Sequence, residues 1–223
     1  SPAAIEAAIP VGYGIEIDVQ LSLDGKAMVF HDYHLGRLTS ETGAVAQISS
    51  DILIQIKLTN CVDTIPTLAQ VLTQVHGQVP LLIEIKDQDG AMGRNVGALE
   101  RAVANDLKNY QGDVAVMSFN PNAIASFSSL SPKTPVGLVT DRFLPNDWPT
   151  LPAATCLHLH GIPDFDRVNA SFISHNHSQL DDLAVLQLKT REIPILCWTV
   201  TSKTQEILAR KQADNITFEG YLP

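Results

Sequence analysis

The sequence predicts an α/β fold built as a (β/α)8 TIM barrel, and three observations lead to this prediction. Short, almost wholly apolar segments alternate with segments of helical periodicity along the 223 residues, which is typical of a parallel sheet covered by helices. Seven strand-like segments are found, close to the eight strands of a barrel. No glycine-rich phosphate-binding motif follows any of them, which disfavours a dinucleotide-binding doubly wound sheet.

The predicted elements begin with a helix at residues 3–9 and a strand at residues 14–20. The other strands are predicted at residues 80–86, 114–119, 136–140, 156–160, 194–200 and 215–219. Further helices are predicted at residues 67–75, 93–110, 121–130, 179–189 and 203–211. Asn120 as N-cap and Pro121 at the first helical position define the start of one of them. Because a helix precedes the first visible strand, we expect the first strand of the barrel to lie upstream of residue 1.

Composition and charge limit the class of protein. We expect one domain, residues 1–223, with a small insertion at residues 33–64. The net charge of −9 argues against a nucleic-acid partner, and no apolar run reaches the roughly 20 residues needed to span a bilayer. The cysteines Cys61, Cys156 and Cys197 lie far apart without metal-binding spacing, which is typical of a reducing compartment and predicts a cytoplasmic location.

The segment GIEIDVQLSLDGKAMVFHD carries acidic residues on an otherwise apolar strand. Glu16 and Asp18 share one face of this strand because side chains alternate. A two-residue turn at Asp24-Gly25 would place His31 opposite Asp18. We therefore expect the two carboxylates and the histidine to cluster at the C-terminal rim of the barrel, where functional residues collect.

A second strand, PLLIEIK, shows the same feature, with Glu84 and Lys86 on one face. A buried carboxylate and a buried ammonium are costly unless they are paired or contact a metal or a charged ligand. Together with Glu16 and Asp18, Glu84 would form an all-oxygen site that suits Mg²⁺ or Ca²⁺. Lys86 would neutralise an anionic substrate such as a phosphate. The alternative is a structural Glu84–Lys86 contact inside the barrel.

Other polar or aromatic residues permit further interpretations. His158 and His160 share a face of the strand predicted at residues 156–160, a spacing that is compatible with a transition metal and an amidohydrolase-like activity. His175 and His177 are expected in a loop and a helix cap. Two aromatic residues that end strands are consistent either with a substrate platform or with the core: Phe119 and Trp198.

Taken together, these motifs resemble the glycerophosphodiester phosphodiesterase family. The resemblance rests, in order, on GIEIDVQLSLDGKAMVFHD, LGRLTSETG, IPTLAQVL, LLIEIK, MSFNP, CWTV and ADNITFEGYLP. It implies a (β/α)8 barrel with an insertion after the second strand. It also implies hydrolysis of a small-molecule glycerophosphodiester to glycerol 3-phosphate and an alcohol, a reaction of lipid and glycerol metabolism. Either water or the substrate's own glycerol hydroxyl would attack the phosphorus.

The resemblance further implies a role for each candidate residue. The carboxylates of the E-x-D motif and the glutamate of LLIEIK would bind a divalent cation, Mg²⁺ or Ca²⁺. The histidine that ends the hairpin would act as general acid/base, the lysine of LLIEIK would contact phosphate, and two aromatic residues would form apolar walls around the glycerol moiety. The residues in these roles are, in that order, Glu16, Asp18, Glu84, His31, Lys86, Phe119 and Trp198.

The sequence departs from the family pattern near both ends. Family members open with a strand that ends in His-Arg, and this segment, with a second catalytic histidine, would precede Ser1. A non-catalytic barrel that binds phosphodiesters or acts as an interaction domain is therefore a second hypothesis. Near the other end, Phe218-Glu219 stands where the family usually carries Thr-Asp.

Overall fold

The computed structural model describes residues 1–223 as one eight-stranded sheet with a helix in most of the connections between its strands. The strands are Ile15–Leu21 (β1), Ala27–Val29 (β2), Leu81–Ile85 (β3), Val114–Ser118 (β4), Val136–Thr140 (β5), Phe172–Asn176 (β6), Ile195–Val200 (β7) and Asn215–Phe218 (β8). The helices are Pro2–Ala8 (α1), Ser50–Leu53 (α2), Leu68–Val75 (α3), Ala98–Leu107 (α4), Pro121–Leu130 (α5), Ala153–His160 (α6), Leu183–Thr190 (α7) and Lys203–Ala209 (α8).

The sheet runs in the order β2-β1-β3-β4-β5-β6-β7-β8. Every pairing from β1 through β3 to β8 is parallel, and only the β1–β2 hairpin is antiparallel. β1 and β8 do not pair with each other. The alternation of parallel strands and helices confirms the α/β architecture; the strand expected upstream of residue 1 stays a prediction.

The main apolar core lies between the sheet and the helices and explains which strand residues face inward. Ile15, Ile17 and Val19 of β1 belong to this cluster of 34 buried residues, as do Ile83 and Ile85 of β3. Since side chains alternate along a strand, the even-numbered residues of both strands face the interior of the curled sheet. The charged residues of β1 and β3 therefore share that interior.

Helix starts follow the capping signals in the sequence. Asn120 accepts a hydrogen bond from the backbone N–H of Asn122, and Pro121 is the first residue of α5. Thr67 and Gln70 form a capping box at the start of α3. These side chains satisfy backbone donors that have no partner within the helix.

The strand predicted at residues 156–160 is wrong, because this segment belongs to α6. The alternation in CLHLH imitates a strand, but Cys156 and Leu159 are buried while Leu157 is exposed. That spacing of three residues is helical.

The strand that follows β5 is instead β6, which ends in Ser174, His175 and Asn176. The prediction that His175 lies in a loop is therefore wrong. The first two of these polar residues are fully buried, so β6 lacks the apolar run that identifies the other strands. His177 begins a short 3-10 helix just after β6.

The predicted register of the β1–β2 hairpin is also wrong. Val19 pairs with Val29 and Leu21 with Ala27, and the N–H of Ser22 donates to the carbonyl of Lys26 at 3.0 Å. The loop between Ser22 and Lys26 therefore contains three residues and ends at Gly25 with φ +78°. A three-residue loop that ends with glycine in the left-handed region is a common hairpin connection. One extra loop residue places Phe30, not His31, opposite Asp18, whose carbonyl accepts the N–H of Phe30 at 3.0 Å.

The segment at residues 33–64 contains α2 and short 3-10 helices and packs against the hairpin through its own apolar cluster. The buried residues of that cluster are Met28, Phe30, Leu35, Val45, Leu53 and Ile65. Asp24 of the hairpin loop ties the two together, accepting hydrogen bonds from Ser50 N at 2.7 Å and Ser50 Oγ at 2.6 Å. These bonds lower the pKa of Asp24 to about 2.

The division into one domain with an insertion stays a prediction. Every helix in the structure is too short or too polar to cross a bilayer.

Candidate active site

Three carboxylates on neighbouring strands meet inside the curled sheet. The parallel register of β1 and β3 places Asp18 beside Glu84, and Glu16 lies one step back along the same face of β1. One carboxylate oxygen of each residue lies within 4.8 Å of the others. Glu84 is 6% exposed, whereas the other two keep partial contact with the cavity. The structure thus brings together the three residues predicted to hold a cation.

Lys86 contacts this acidic cluster directly. Its Nζ lies 2.6 Å from Asp18 Oδ1 and 2.7 Å from Glu84 Oε1. Burial by itself would lower the pKa of Lys86, but the attraction of Glu84 and Asp18 outweighs burial and raises it. The site therefore sets one ammonium against three carboxylates.

Burial and the excess of negative charge raise the pKa values of two of the carboxyl groups. Burial, reinforced by repulsion from Asp18 and Glu84, raises the pKa of Glu16 well above its ordinary value. Burial also raises the pKa of Glu84, although Lys86 partly opposes the effect. Negative charge in a low-dielectric site needs a proton or a cation. Three closely spaced oxygen donors with uncompensated charge fit Mg²⁺ or Ca²⁺.

We expect Glu16→Gln to raise the melting temperature measured in the presence of a chelator. A carboxyl with a raised pKa binds more protons when folded than when unfolded, so the free energy of unfolding falls as the pH rises above 4.5, the group's ordinary pKa. Glutamine removes this loss, and about 1 kcal/mol corresponds to about 2–4 °C in a protein of this size. The gain should be largest near pH 7 and shrink toward pH 4.

Thermal melts across that pH range measure the effect, with Glu6→Gln on the exposed face of α1 as the matched control. A Glu16→Gln variant that melts at or below the wild-type temperature at pH 7 would contradict the expectation.

His31 follows β2 and lines the same cavity as the acidic cluster and Lys86. Its Nδ1 lies 2.7 Å from Asp32 Oδ1. Arg37 binds the same carboxylate with both ends of its guanidinium, Nε to Oδ2 at 2.7 Å and Nη2 to Oδ1 at 2.6 Å. Arg37 is the main reason why the pKa of Asp32 falls to about 2. His31 thus reaches the site despite the change of register, although not as a direct neighbour of Asp18.

Two glutamines that the sequence analysis missed hold the backbone around His31. Gln20 Nε2 donates to the carbonyl of His31 at 3.1 Å, and Gln88 Nε2 donates to Gln20 Oε1 at 3.0 Å and to the carbonyl of Lys86 at 3.0 Å. This chain of bonds joins the hairpin to the end of β3. The available signal was the position of Gln20, which continues the face of Glu16 and Asp18 along β1.

Phe119 and Trp198 form an aromatic wall of the cavity. Their ring centroids lie 5.4 Å apart in an edge-to-face arrangement. Trp198 is fixed by a hydrogen bond from its Nε1 to the carbonyl of Ser174 at 3.0 Å, and Phe119 is backed by Trp148 at 5.0 Å. Trp148 gave no signal in the sequence because it lies in an irregular loop.

His158 and His160 do not form a metal site. They are two residues apart on α6, a spacing that points side chains in different directions. His158 Nε2 lies 2.7 Å from Asp164 Oδ2, whereas His160 Nδ1 bonds the carbonyl of Arg142 at 2.9 Å. Both histidines have structural partners outside the cavity.

Known proteins are similar to this chain in sequence. A family model described as "Glycerophosphoryl diester phosphodiesterase family" matches residues 1–217. A Bacillus subtilis (strain 168) protein named "Putative glycerophosphodiester phosphodiesterase YhdW" is 27% identical over 207 residues, covering 89% of this chain and 78% of the relative. The glycerophosphodiester phosphodiesterase of Bacillus altitudinis is 32% identical over 136 residues, covering 57% of this chain and 54% of the relative.

Solved structures share the fold. A phosphodiesterase from Oleispira antarctica, solved in complex with the product sn-glycerol-3-phosphate, superposes with a TM-score of 0.79 at 22% identity, over 97% of this chain and 85% of that one. A glycerophosphodiester phosphodiesterase from Thermotoga maritima gives 0.72 at 20% identity, over 98% and 87%. The prediction of a TIM-barrel fold is confirmed.

Proposed function

The chain belongs to the glycerophosphoryl diester phosphodiesterase family, whose members are phosphoric diester hydrolases, and we propose that it hydrolyses glycerophosphodiesters to glycerol 3-phosphate and an alcohol. The observation that supports this most is the cluster of Glu16, Asp18 and Glu84, with oxygens within 4.8 Å of one another and Lys86 beside them. A lysine that balances only part of the carboxylate charge suits a site for both a cation and a phosphate.

Glu16, Asp18 and Glu84 would hold a divalent cation, Mg²⁺ or Ca²⁺. When bound, such an ion supplies Lewis-acid polarisation of the phosphoryl oxygens. The Lys86 ammonium neutralises negative charge on the phosphate and orients it. Lys86 is anchored by the carboxylates on either side, so its charge is already in position before substrate arrives.

The chemistry that remains is proton transfer and positioning. His31 protonates the departing alkoxide, a role that imidazole side chains commonly fill in general acid–base catalysis. Phe119 and Trp198 pack against the carbon atoms of the glycerol, which leaves its hydroxyl groups free for polar contacts. The substrate is a small molecule of lipid and glycerol metabolism, and the cytoplasmic location predicted from the sequence is part of this proposal.

Turnover of glycerophosphocholine by the full-length protein tests the proposal. We expect release of glycerol 3-phosphate in the presence of Mg²⁺ or Ca²⁺ and a fall of at least about 10²-fold when a chelator is added, since a metal contributes several kcal/mol of charge stabilisation. Turnover that is indifferent to the chelator would contradict the role of the cation. Tight binding of the substrate without any turnover would favour the non-catalytic barrel instead.

A further inference from the structure

We propose that Asp32, held by Arg37, fixes the imidazole of His31 with its hydrogen on Nδ1, so that Nε2 is the atom that exchanges a proton with the substrate. The inference rests on the proposed function for its chemical consequence. The arrangement of the three side chains stands on its own geometry. Asp32 and Arg37 are then positioning residues that act through His31.

The distances decide where the hydrogen lies. His31 Nδ1 is 2.7 Å from Asp32 Oδ1, but 3.4 Å from Arg37 Nη2. The same Nη2 already donates to Asp32 Oδ1 at 2.6 Å. The contact to Asp32 is the stronger one, because 2.7 Å is a normal hydrogen-bond distance whereas 3.4 Å is long for one.

The state of Asp32 then fixes the tautomer. Two hydrogen bonds from Arg37 keep this carboxyl ionised, and they are the main reason why its pKa falls to about 2. An ionised carboxylate accepts hydrogen bonds and cannot donate one. The hydrogen of the His31–Asp32 contact therefore belongs to Nδ1.

Nε2 is left as the reactive nitrogen. It makes no hydrogen bond within the chain, while the ring lines the cavity that contains Glu16, Asp18, Glu84 and Lys86. The carbonyl of His31 is also fixed by Gln20 at 3.1 Å. Backbone and ring are thus held from two sides, and Nε2 is the nitrogen left to contact a substrate.

The proton transfer balances as follows. When the bond between phosphorus and the alcohol oxygen breaks, that oxygen keeps the electron pair and takes the proton from Nε2 of the His31 imidazolium. The ring becomes neutral with its hydrogen still on Nδ1, bonded to Asp32. Water that attacks phosphorus loses one proton, and this proton restores the imidazolium. The charged groups around the ring are Asp32 and Arg37 on its own side and Glu84 from β3. The interaction with His31 lowers the pKa of Glu84 and so opposes part of the effect of burial.

The test combines nitrogen NMR with kinetics. In protein labelled with ¹⁵N-histidine, we expect the neutral His31 ring to carry its hydrogen on Nδ1, with its signals assigned through His31→Gln. Asp32→Ala should remove this preference and lower kcat by about 10²–10⁴-fold while KM changes little, by analogy with the loss of the orienting carboxylate in a Ser-His-Asp triad. Arg37→Gln, an exposed change that leaves the carboxylate in place, should lower kcat by about tenfold through a less rigid Asp32.

The chain offers a matched control. Asp164 also contacts a histidine and an arginine, His158 through Nε2 at 2.7 Å and Arg167 through Nε, but it lies outside the cavity. Asp164→Ala should alter the NMR signals of His158 and leave kcat unchanged.

A neutral His31 ring with its hydrogen on Nε2 would overturn the proposal, as would an Asp32→Ala variant with kcat within about twofold of the wild type. The NMR result does not require turnover, so absence of phosphodiesterase activity would reject the proposed function while leaving the tautomer assignment intact.

Discussion

Replacing Glu84 with glutamine should lower cation-dependent turnover of a glycerophosphodiester by about 10³-fold, because about 4 kcal/mol of charge stabilisation is lost with the cation. Glutamine has the size of glutamate, and its oxygen can still accept the hydrogen bond that Lys86 now gives to Glu84 at 2.7 Å. The packing is therefore retained while one of three negative charges is removed. Calorimetry should show cation binding weakened in parallel with turnover.

Glu100→Gln is the matched control for this experiment. Glu100 is a glutamate 1% exposed, on α4, and burial raises its pKa as it does that of Glu84. It lies outside the cavity and accepts a hydrogen bond from the backbone N–H of Gly97. A general sensitivity to neutralising buried glutamates would affect both variants.

The result also separates two interpretations of Glu84 and Lys86. If their contact is only a structural ion pair, Glu84→Gln should destabilise the fold and leave the cation affinity unchanged. If they belong to a cation and phosphate site, the melting temperature should change by a few degrees, whereas cation binding and turnover are lost together. An unchanged cation affinity would rule out Glu84 as a ligand.

The acidic cluster was predictable from the sequence because it depends on side-chain alternation within two strands and on one parallel strand pairing. Alternation along a strand places Glu16 and Asp18 on one face, and parallel pairing of β1 with β3 brings Glu84 to the same height. Apolar neighbours on the other face indicated which side is buried. Apart from this one strand pairing, no distant contact was needed for this part of the site.

The hairpin register was not predictable in the same way. The loop has three residues instead of the predicted two. Its Asp24 side chain bonds to Ser50, 26 residues farther along the chain. Contacts of this kind are set by tertiary structure and are absent from the local turn signal. Likewise, the sequence spacing of Asp32 and Arg37 does not indicate that the Arg37 guanidinium donates two hydrogen bonds to the Asp32 carboxylate.

The segment predicted as a strand is α6, and the segment predicted as a loop contains the end of β6. These two errors show a limit of prediction from hydrophobic periodicity. CLHLH alternates like a strand, but only Cys156 and Leu159 are buried there. SHNHSQL, which contains the end of β6, was interpreted as a loop and a helix cap because it is polar. Ser174 lies at the interior of the barrel and His175 on its outer side, and both positions are buried by other elements. A polar strand of this kind can be recognised only when the elements that pack against it are known.

Replacing His31 with alanine should lower turnover of glycerophosphocholine by about 10²–10⁴-fold, the usual contribution of a general acid or base. Cation binding should be unchanged, since His31 is not one of the three carboxylate residues that cluster. The matched control is His158→Ala, because His158 also bonds a carboxylate at 2.7 Å but lies outside the cavity. A His31→Ala variant with wild-type turnover would reject catalysis by this residue.

The choice of leaving group decides which half of the reaction His31 serves. Choline leaves as an alkoxide that must be protonated, whereas p-nitrophenolate leaves readily without a proton. If His31 is the general acid, the loss in His31→Ala should shrink to about tenfold or less for a p-nitrophenyl ester of glycerol phosphate. An equal loss for both substrates would instead assign His31 to activation of the attacking group, because attack requires the same proton removal whichever alcohol departs.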